Sequence, residues 1–474
     1  MAISSEEKLI VAIELGSSKM VGMAGHRQPD GNLKILAMAE ERVPGAIRYG
    51  MVSNFEKTNQ TIKLIIDKLQ AQLDRRIGQA YVALNGRGIY SVKGTISRKN
   101  AHEEVITHSL IDSILEDNKR SVPAEKQIIE VVPQEYRVDT QYILDPIGML
   151  GEYVEGNFLN IVARPALLKN YRDIFLNVKL SVPEFMVSPI VLGNHLLSEG
   201  EKRAGCVLID LGSELTTVAV YHKNILRHLT VLPLGSKNIT KDIMSLQIEE
   251  DEAESIKIES GSAYTPQGDI RLSDTGGEDK LLKDGRILKE KNILEIVEAR
   301  VQEIVFNINE QLNRSGIDKG LLLSGIIVTG GGAGIKNLDK ALTTYLGIEK
   351  ITIKNKPEFG IVTAKNINAD LTNGRYNTLL SIVYSGIDSC DGGDLNKTLF
   401  ADETEDGEIV ETGPQTSDEP HVGGTKVTSA KEAEILEMQE PQDEEEEARP
   451  KKPGMFKSMF KKAKDFLNNV TTED

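Results

Sequence analysis

"LIVAIELGSSKMVGMAG", residues 9–25, is an apolar run that ends in an acid and a glycine turn and then resumes as a second apolar run. The spacing predicts a strand to Leu15, a tight turn over Gly16, Ser17, Ser18 and Lys19, and a returning strand. Glycine and serine are turn formers first. With Glu14 at the strand end, the same turn also offers backbone N–H groups and hydroxyls to phosphate oxygens, and a carboxylate to a hydrated Mg2+. "CVLIDLGSELTTVAVYHKN", residues 206–224, repeats the arrangement with Asp210, Gly212, Ser213, Thr216 and Thr217. The repetition predicts two related halves.

A third stretch, "GIIVTGGGAGI" at 325–335, runs a buried strand into Gly330, Gly331, Gly332 and Ala333. Glycine alone lets a backbone pass flat against a base or a diphosphate. The run has neither the Gly-Lys-Ser/Thr ending of a Walker A loop nor the dinucleotide fingerprint with its ribose-binding acid.

The chain has 474 residues and a formal net charge of −16. Residues 387–450 hold twenty acids against four bases, so this stretch carries the whole net charge. Its few large apolar residues and runs such as "MQEPQDEEEEARP" predict a disordered tether at 387–453, and its acidity describes that tether rather than any basic partner. Nothing points to nucleic acid. Cys206, in an apolar strand, and Cys390, in the tether, are the only cysteines, too few for a disulfide framework or a zinc site. The N-terminus lacks the charged start and long apolar region of a signal peptide, which predicts a cytoplasmic protein.

The tether leads into "KKPGMFKSMFKKAKDFLNNV", residues 451–470. At 100° per residue, Met455, Phe456, Met459, Phe460, Ala463, Phe466, Leu467 and Val470 fall within about 140° of arc, and Pro453 and Gly454 set the start of a helix. Lys457, Lys461 and Lys464 occupy the opposite face. Such a helix, 454–470, fits an anionic lipid surface, with a partner groove or docking on its own core as alternatives. The apolar run is too short and interrupted to span a bilayer.

"EVVPQEYRVDTQYILDPIGMLGEYVEGNFLNIVA" (130–163), "LPLGSKNITKDI" (232–243), "EAESIKIESG" (252–261) and "IVEARVQEI" (296–304) together resemble the FtsA family of bacterial cell-division proteins, within the actin, Hsp70 and sugar-kinase superfamily. The resemblance covers residues 8–386 and 454–470. It implies an α/β, actin-like duplicated RNase H-like fold, two lobes around a nucleotide cleft, with an FtsA-type small domain. The first lobe would comprise 8–84, 164–204 and 366–386, with the small domain at 85–163. The second would comprise 205–245 and 319–365, with an upper subdomain at 246–318.

The resemblance further implies ATP and Mg2+ as ligands. Glu14, Gly16, Ser17, Ser18 and Lys19 would form one phosphate site and Asp210, Gly212, Ser213, Thr216 and Thr217 the other, with Glu14 and Asp210 meeting the ion through water. Glu254 and Lys257 would reach the ribose and base, and Gly330, Gly331, Gly332 and Ala333 would pass beside the adenosine. The apolar positions of 289–312 predict a helix with one buried stripe that omits Arg300, and the resemblance makes that arginine part of the site for the C-terminal peptide of FtsZ. Implied partners are FtsZ, further copies of the chain in a filament, other division proteins and the cytoplasmic face of the inner membrane at midcell. An FtsA-like pilus assembly ATPase or a related kinase is the rival.

Two departures stand out. The family's first phosphate motif usually begins with Asp, and Glu14 moves the carboxylate by about one C–C bond, ~1.5 Å. In "LSVPEFMVSPIVLGNHLL" (180–197) the position expected to orient an attacking water is Ser188, before Pro189, with Glu184 the nearest substitute. Slow ATP turnover is the expectation.

Overall fold

A computed structural model describes residues 8–100, 104–123, 125–265 and 279–394. Ile10–Leu15, Met20–Arg27 and Leu33–Glu41 form an antiparallel meander, and Tyr81–Leu84 and then Phe185–Val187 add to it in parallel on the Ile10–Leu15 side. Cys206–Leu211, Thr216–His222 and Ile225–Leu232 form a second such meander, extended in parallel by Ile326–Thr329 and Ile351–Ile353. The two halves therefore share one connectivity. Ile10 to Ile13 are buried in succession, as are Cys206 to Ile209, because a strand covered on both faces needs an unbroken apolar run.

Helices cover these sheets for reasons visible locally. Asn54 Oδ1 caps Phe55–Leu73 by accepting from Lys57 N at 2.9 Å, and Ile62, Ile65, Ile66 and Leu69 bury that helix against the first sheet. Ser188–Leu196 and Asn377–Ser385 pack on each other between the two sheets, tied by His195 Nε2 and Ser385 Oγ at 2.7 Å. The helix Glu290–Ser315 buries Ile293, Val297, Val301, Ile304, Val305, Ile308 and Leu312 in the second lobe's core, along the stripe expected from the sequence.

The segment between the first lobe's parallel strands forms a small domain of its own. Tyr90–Lys99, Tyr153–Ala163 and Gln127–Val138 pair antiparallel and, with the helix His108–Arg120, enclose Ile106, Ile114, Tyr136, Val138, Val154 and Phe158. Its sheet continues into the second lobe through the pairing of Tyr90 with Thr230.

One boundary differs from the sequence expectation. Composition places residues 387–394 in the tether, yet Asp391–Asp394 pairs with Arg75–Ile77, Cys390 is fully buried, and Arg75 forms an ion pair with Asp391. Cys390 N also donates to Leu9 O at 2.6 Å. Backbone pairing and one buried thiol hold this piece, and composition reports neither. The remaining tether and the C-terminal positions Met455, Phe456, Lys457, Met459, Phe460, Lys461, Phe466 and Leu467 lie outside the described residues. No described helix is long and apolar enough to cross a membrane.

Candidate functional site

The two hairpin turns lie at equivalent strand ends. A Cβ on Gly16 would stand 2.5 Å from Lys19 O, so the first turn closes only with glycine there. In the second, Gly212 N donates to Leu215 O at 2.9 Å. The helix Ser236–Met244 docks on that turn by its first amides: Ser236 N donates to Gly212 O at 3.0 Å and Lys237 N to Ser213 O at 2.8 Å. Among the described residues the N–H groups of Ser17, Ser18, Ser213 and Glu214 meet no protein acceptor. Such unspent donors beside two strand-end carboxylates are a place for phosphate oxygens.

Burial, then the charge of Asp210, pushes the Glu14 carboxyl up from 4.5 to about 7, against a smaller opposing effect of Lys19. Burial pushes Asp210 up to about 6. Two carboxylates that resist ionising in the same recess are what a bound cation relieves. Among the described residues no group of three or more acids, histidines or cysteines converges. Magnesium suits such a site, because it commonly keeps several waters and takes one or two carboxylates plus phosphate oxygens.

Not every residue expected here faces the recess. Thr217 pairs across the hairpin with Asp210, so their side chains share a face. Thr216 points the other way, fully buried, and donates to Leu234 O at 2.7 Å. Its side chain faces away from the recess because strand side chains alternate.

The glycine turn divides similarly. Gly330 has φ +92°, and a Cβ there would lie 2.4 Å from Asp210 Oδ1; one on Gly332 would lie 2.6 Å from Leu211 Cγ. These two bring the strand end flush against the second hairpin turn, and Ala333 is buried beside them. Gly331 is open, with only the Arg375 side chain near, at 3.8 Å.

Lys19 is held in place by residues that sequence reasoning missed. Its Nζ donates to Glu40 Oε2 at 2.8 Å and sits 3.9 Å from the centre of the Tyr376 ring, while Tyr376 OH donates to the same Glu40 oxygen at 2.8 Å. Burial lowers the Lys19 pKa despite Glu40. Arg375, next in the chain to Tyr376, is exposed and forms no ion pair among the described residues, and its charge acts on Lys19, Glu40 and Glu254. The signal "NGRYN" at 373–377 is too short to mark a site.

Glu254 and Lys257 form a network rather than a solvated pair. Lys257 is buried and donates to both Glu254 oxygens at 2.7 Å and to Thr240 Oγ1 at 3.1 Å, while Thr240 donates to Glu254 Oε2 at 2.6 Å. Burial alone would raise the Glu254 pKa; the hydrogen bonds from Lys257 and Thr240 outweigh it and hold the carboxyl below its usual range. Lys257 is thus spent inside the protein, and the half-exposed Glu254 is the member a ligand can meet.

Arg300 is also engaged. Its Nε and Nη2 donate to Asp242 at 2.5 and 2.7 Å, and Nη1 pairs with Glu303. The arginine therefore ties the helix Glu290–Ser315 to the helix Ser236–Met244. At the expected water-orienting position Ser188 is buried, and its Oγ has no partner among the described residues. Glu184 is exposed and lies two strands away, about 7 Å behind the level of Glu14 along the strands, so it does not substitute.

A model of cell division protein FtsA matches residues 207–380, and a model of the SHS2 domain inserted in that protein matches residues 86–162. The chain belongs to the FtsA family. Cell division protein FtsA of Neisseria meningitidis is 29% identical over 341 residues, 69% of this chain and 80% of its own length. The FtsA proteins of Porphyromonas gingivalis and Escherichia coli K12 are 28% and 27% identical, over 73% and 71% of this chain and 72% and 82% of theirs. The PilM–PilN type IV pilus biogenesis complex contains a chain that superposes with a TM-score of 0.53 at 18% identity, covering 79% of this chain and 97% of that one, a likeness of fold alone. The molecule is an actin-like cell-division protein with the FtsA family's inserted domain between its first-lobe strands.

Proposed function

We propose that this FtsA-family protein binds ATP with Mg2+ between its lobes, polymerises at the cytoplasmic face of the inner membrane at midcell, and tethers FtsZ there with other division proteins. The observation that carries the reading is the pair of turns with unspent N–H groups at Ser17, Ser18, Ser213 and Glu214, flanked by Glu14 and Asp210, two carboxylates that burial makes reluctant to ionise. Glu14 and Asp210 would hold hydrated Mg2+, Ser17, Ser18, Ser213 and Thr217 would hold phosphate oxygens, and Gly331 would pass beside the adenosine. The bound ion would supply charge neutralisation for the phosphate chain. With Ser188 buried and no carboxylate in its place, turnover is slow and the nucleotide acts chiefly as a structural ligand.

Attachment rests on the C-terminal sequence, where a helix would put Phe456 and Phe460 on one apolar arc and lysines on the other face. One short amphipathic helix binds reversibly, and a filament that presents many of them gains avidity. FtsZ would dock its C-terminal peptide near Arg300. Co-sedimentation of the full chain with anionic vesicles, with and without ATP, tests the assembly: ATP should strengthen binding, and Phe456→Glu with Phe460→Glu should abolish it. Binding indifferent to both changes would refute this account of attachment.

A further inference from the structure

A hydrogen bond joins the lobes beside the phosphate turns. Tyr49 and Gly50 form the two-residue turn of the hairpin Ile47–Arg48 and Met51–Val52, with φ of +50° and +70°. Glycine adopts that backbone freely, and tyrosine does not. In this conformation Tyr49 N donates to Glu214 Oε2 at 2.8 Å, while the next amide, Gly50 N, donates to Ser17 Oγ at 3.4 Å. One dipeptide of the first lobe thus touches the first phosphate turn through Ser17 and the second through Glu214.

The dipeptide is firmly seated. Tyr171 OH donates to Gly50 O at 3.1 Å, Arg87 N donates to Tyr49 O at 2.9 Å, and a Cβ on Gly50 would stand 2.5 Å from Gly86 Cα. The Tyr49 ring has Arg87 and Lys241 as neighbours, with the cations 6.0 and 5.9 Å from its centre. Lys241 belongs to the helix whose first amides grip Gly212 and Ser213. Glu214 is buried, and its counterpart in the first turn is Ser18. A carboxylate in a phosphate turn repels phosphate unless it is aimed elsewhere, and here it is aimed at an amide of the other lobe.

We propose that Glu214 is a positioning residue whose hydrogen bond to Tyr49 N–H clasps the two phosphate turns at a fixed separation and so favours a nucleoside triphosphate over a diphosphate. The proposal rests on the nucleotide reading above. A phosphate chain that engages both turns benefits from their being held at the right spacing in advance, whereas a shorter chain that engages one does not.

The test compares the full-length protein with Glu214→Ala and Glu214→Gln. The glutamine side-chain oxygen still accepts from Tyr49 N–H, but it carries no charge. Calorimetry should show Mg2+-ATP affinity falling about tenfold in Glu214→Ala with Mg2+-ADP affinity within about threefold, and Glu214→Gln returning to within about threefold of wild type for both. Hydrogen exchange at the Tyr49 amide, measured without nucleotide, should quicken about tenfold or more in Glu214→Ala and not in Glu214→Gln. An unchanged ATP-to-ADP ratio in Glu214→Ala, or an equal loss in both variants, overturns the proposal, as does unaltered exchange at Tyr49. If wild type binds neither nucleotide while the exchange result holds, the clasp stands as a lobe contact and the nucleotide reading is what fails.

Discussion

Arg227 grips Glu135 through two parallel hydrogen bonds, Nη1 to Oε2 at 2.8 Å and Nη2 to Oε1 at 2.6 Å, across the seam between the inserted domain and the second lobe. Nη1 also reaches Gln134 Oε1 at 3.1 Å, and Gln134 Nε2 donates to Leu226 O at 3.0 Å. Gln134 and Glu135, from the run that marks the family resemblance, therefore act as a lock between domains.

That lock gives a stability prediction. Arg227→Ala leaves a partly buried carboxylate unpaired, at about 1–3 kcal/mol, which lowers the melting temperature by roughly 1–4 °C. The hydrogen bond from Arg227, against a smaller effect of burial, holds the Glu135 carboxyl below its ordinary 4.5. A depressed acid stabilises above its unfolded value and loses that contribution as pH falls through the folded one, so the gap between wild type and variant should close below about pH 4.5. Scanning calorimetry at pH 7 and pH 4 checks this; an equal gap at both would assign the loss to packing.

Glu14 and Asp210 predict the opposite slope. Glu14 and Asp210 are raised to about 7 and about 6, so each favours the folded state while protonated and gives up that stability as pH rises from its unfolded value through its folded one. Without ligand, Glu14→Gln with Asp210→Asn should melt like wild type near pH 4 and at least about 3 °C higher at pH 8. Millimolar Mg2+ with ATP should raise the wild-type melting temperature at pH 8 and leave the variant's unchanged. A variant no more stable than wild type at pH 8 would mean these carboxylates are not strained.

Arg300 carries a prediction about architecture before any about partners. Arg300→Glu sets a carboxylate against Asp242 and Glu303, so it should lower the melting temperature and loosen the helix that grips the second hairpin turn. Peptide binding lost in that variant alone is ambiguous. The exchange Arg300→Asp with Asp242→Arg restores the pair, and fluorescence anisotropy with the FtsZ C-terminal peptide then reads the position itself. Restored stability with lost peptide binding supports a contact at Arg300, and restored binding removes it from the site.

Much of this molecule could be read from residue order. The two strand–turn–strand stretches, 196 positions apart from Glu14 to Asp210, led to the duplicated lobes because a strand buried on both faces and a glycine turn each have a local signature. What stayed hidden depends on distance in space. The Arg300–Asp242 pair spans 58 residues, the Tyr376–Glu40 bond 336 and the Glu214–Tyr49 bond 165. Thr216 and Lys257 carry the right chemistry for a ligand site, yet a carbonyl and a carboxylate inside the protein use it up. Residues 387–394 looked like tether because a strand edge and one buried cysteine leave no trace in composition.

Calorimetric titration of the full chain and of Asp210→Ala with ATP, each with and without Mg2+, reads whether a Mg2+-nucleotide is held between the two turns. Wild type should bind tightly only with Mg2+, and Asp210→Ala should bind more weakly in a way that Mg2+ no longer improves. Equal, Mg2+-dependent affinity in both proteins would contradict it.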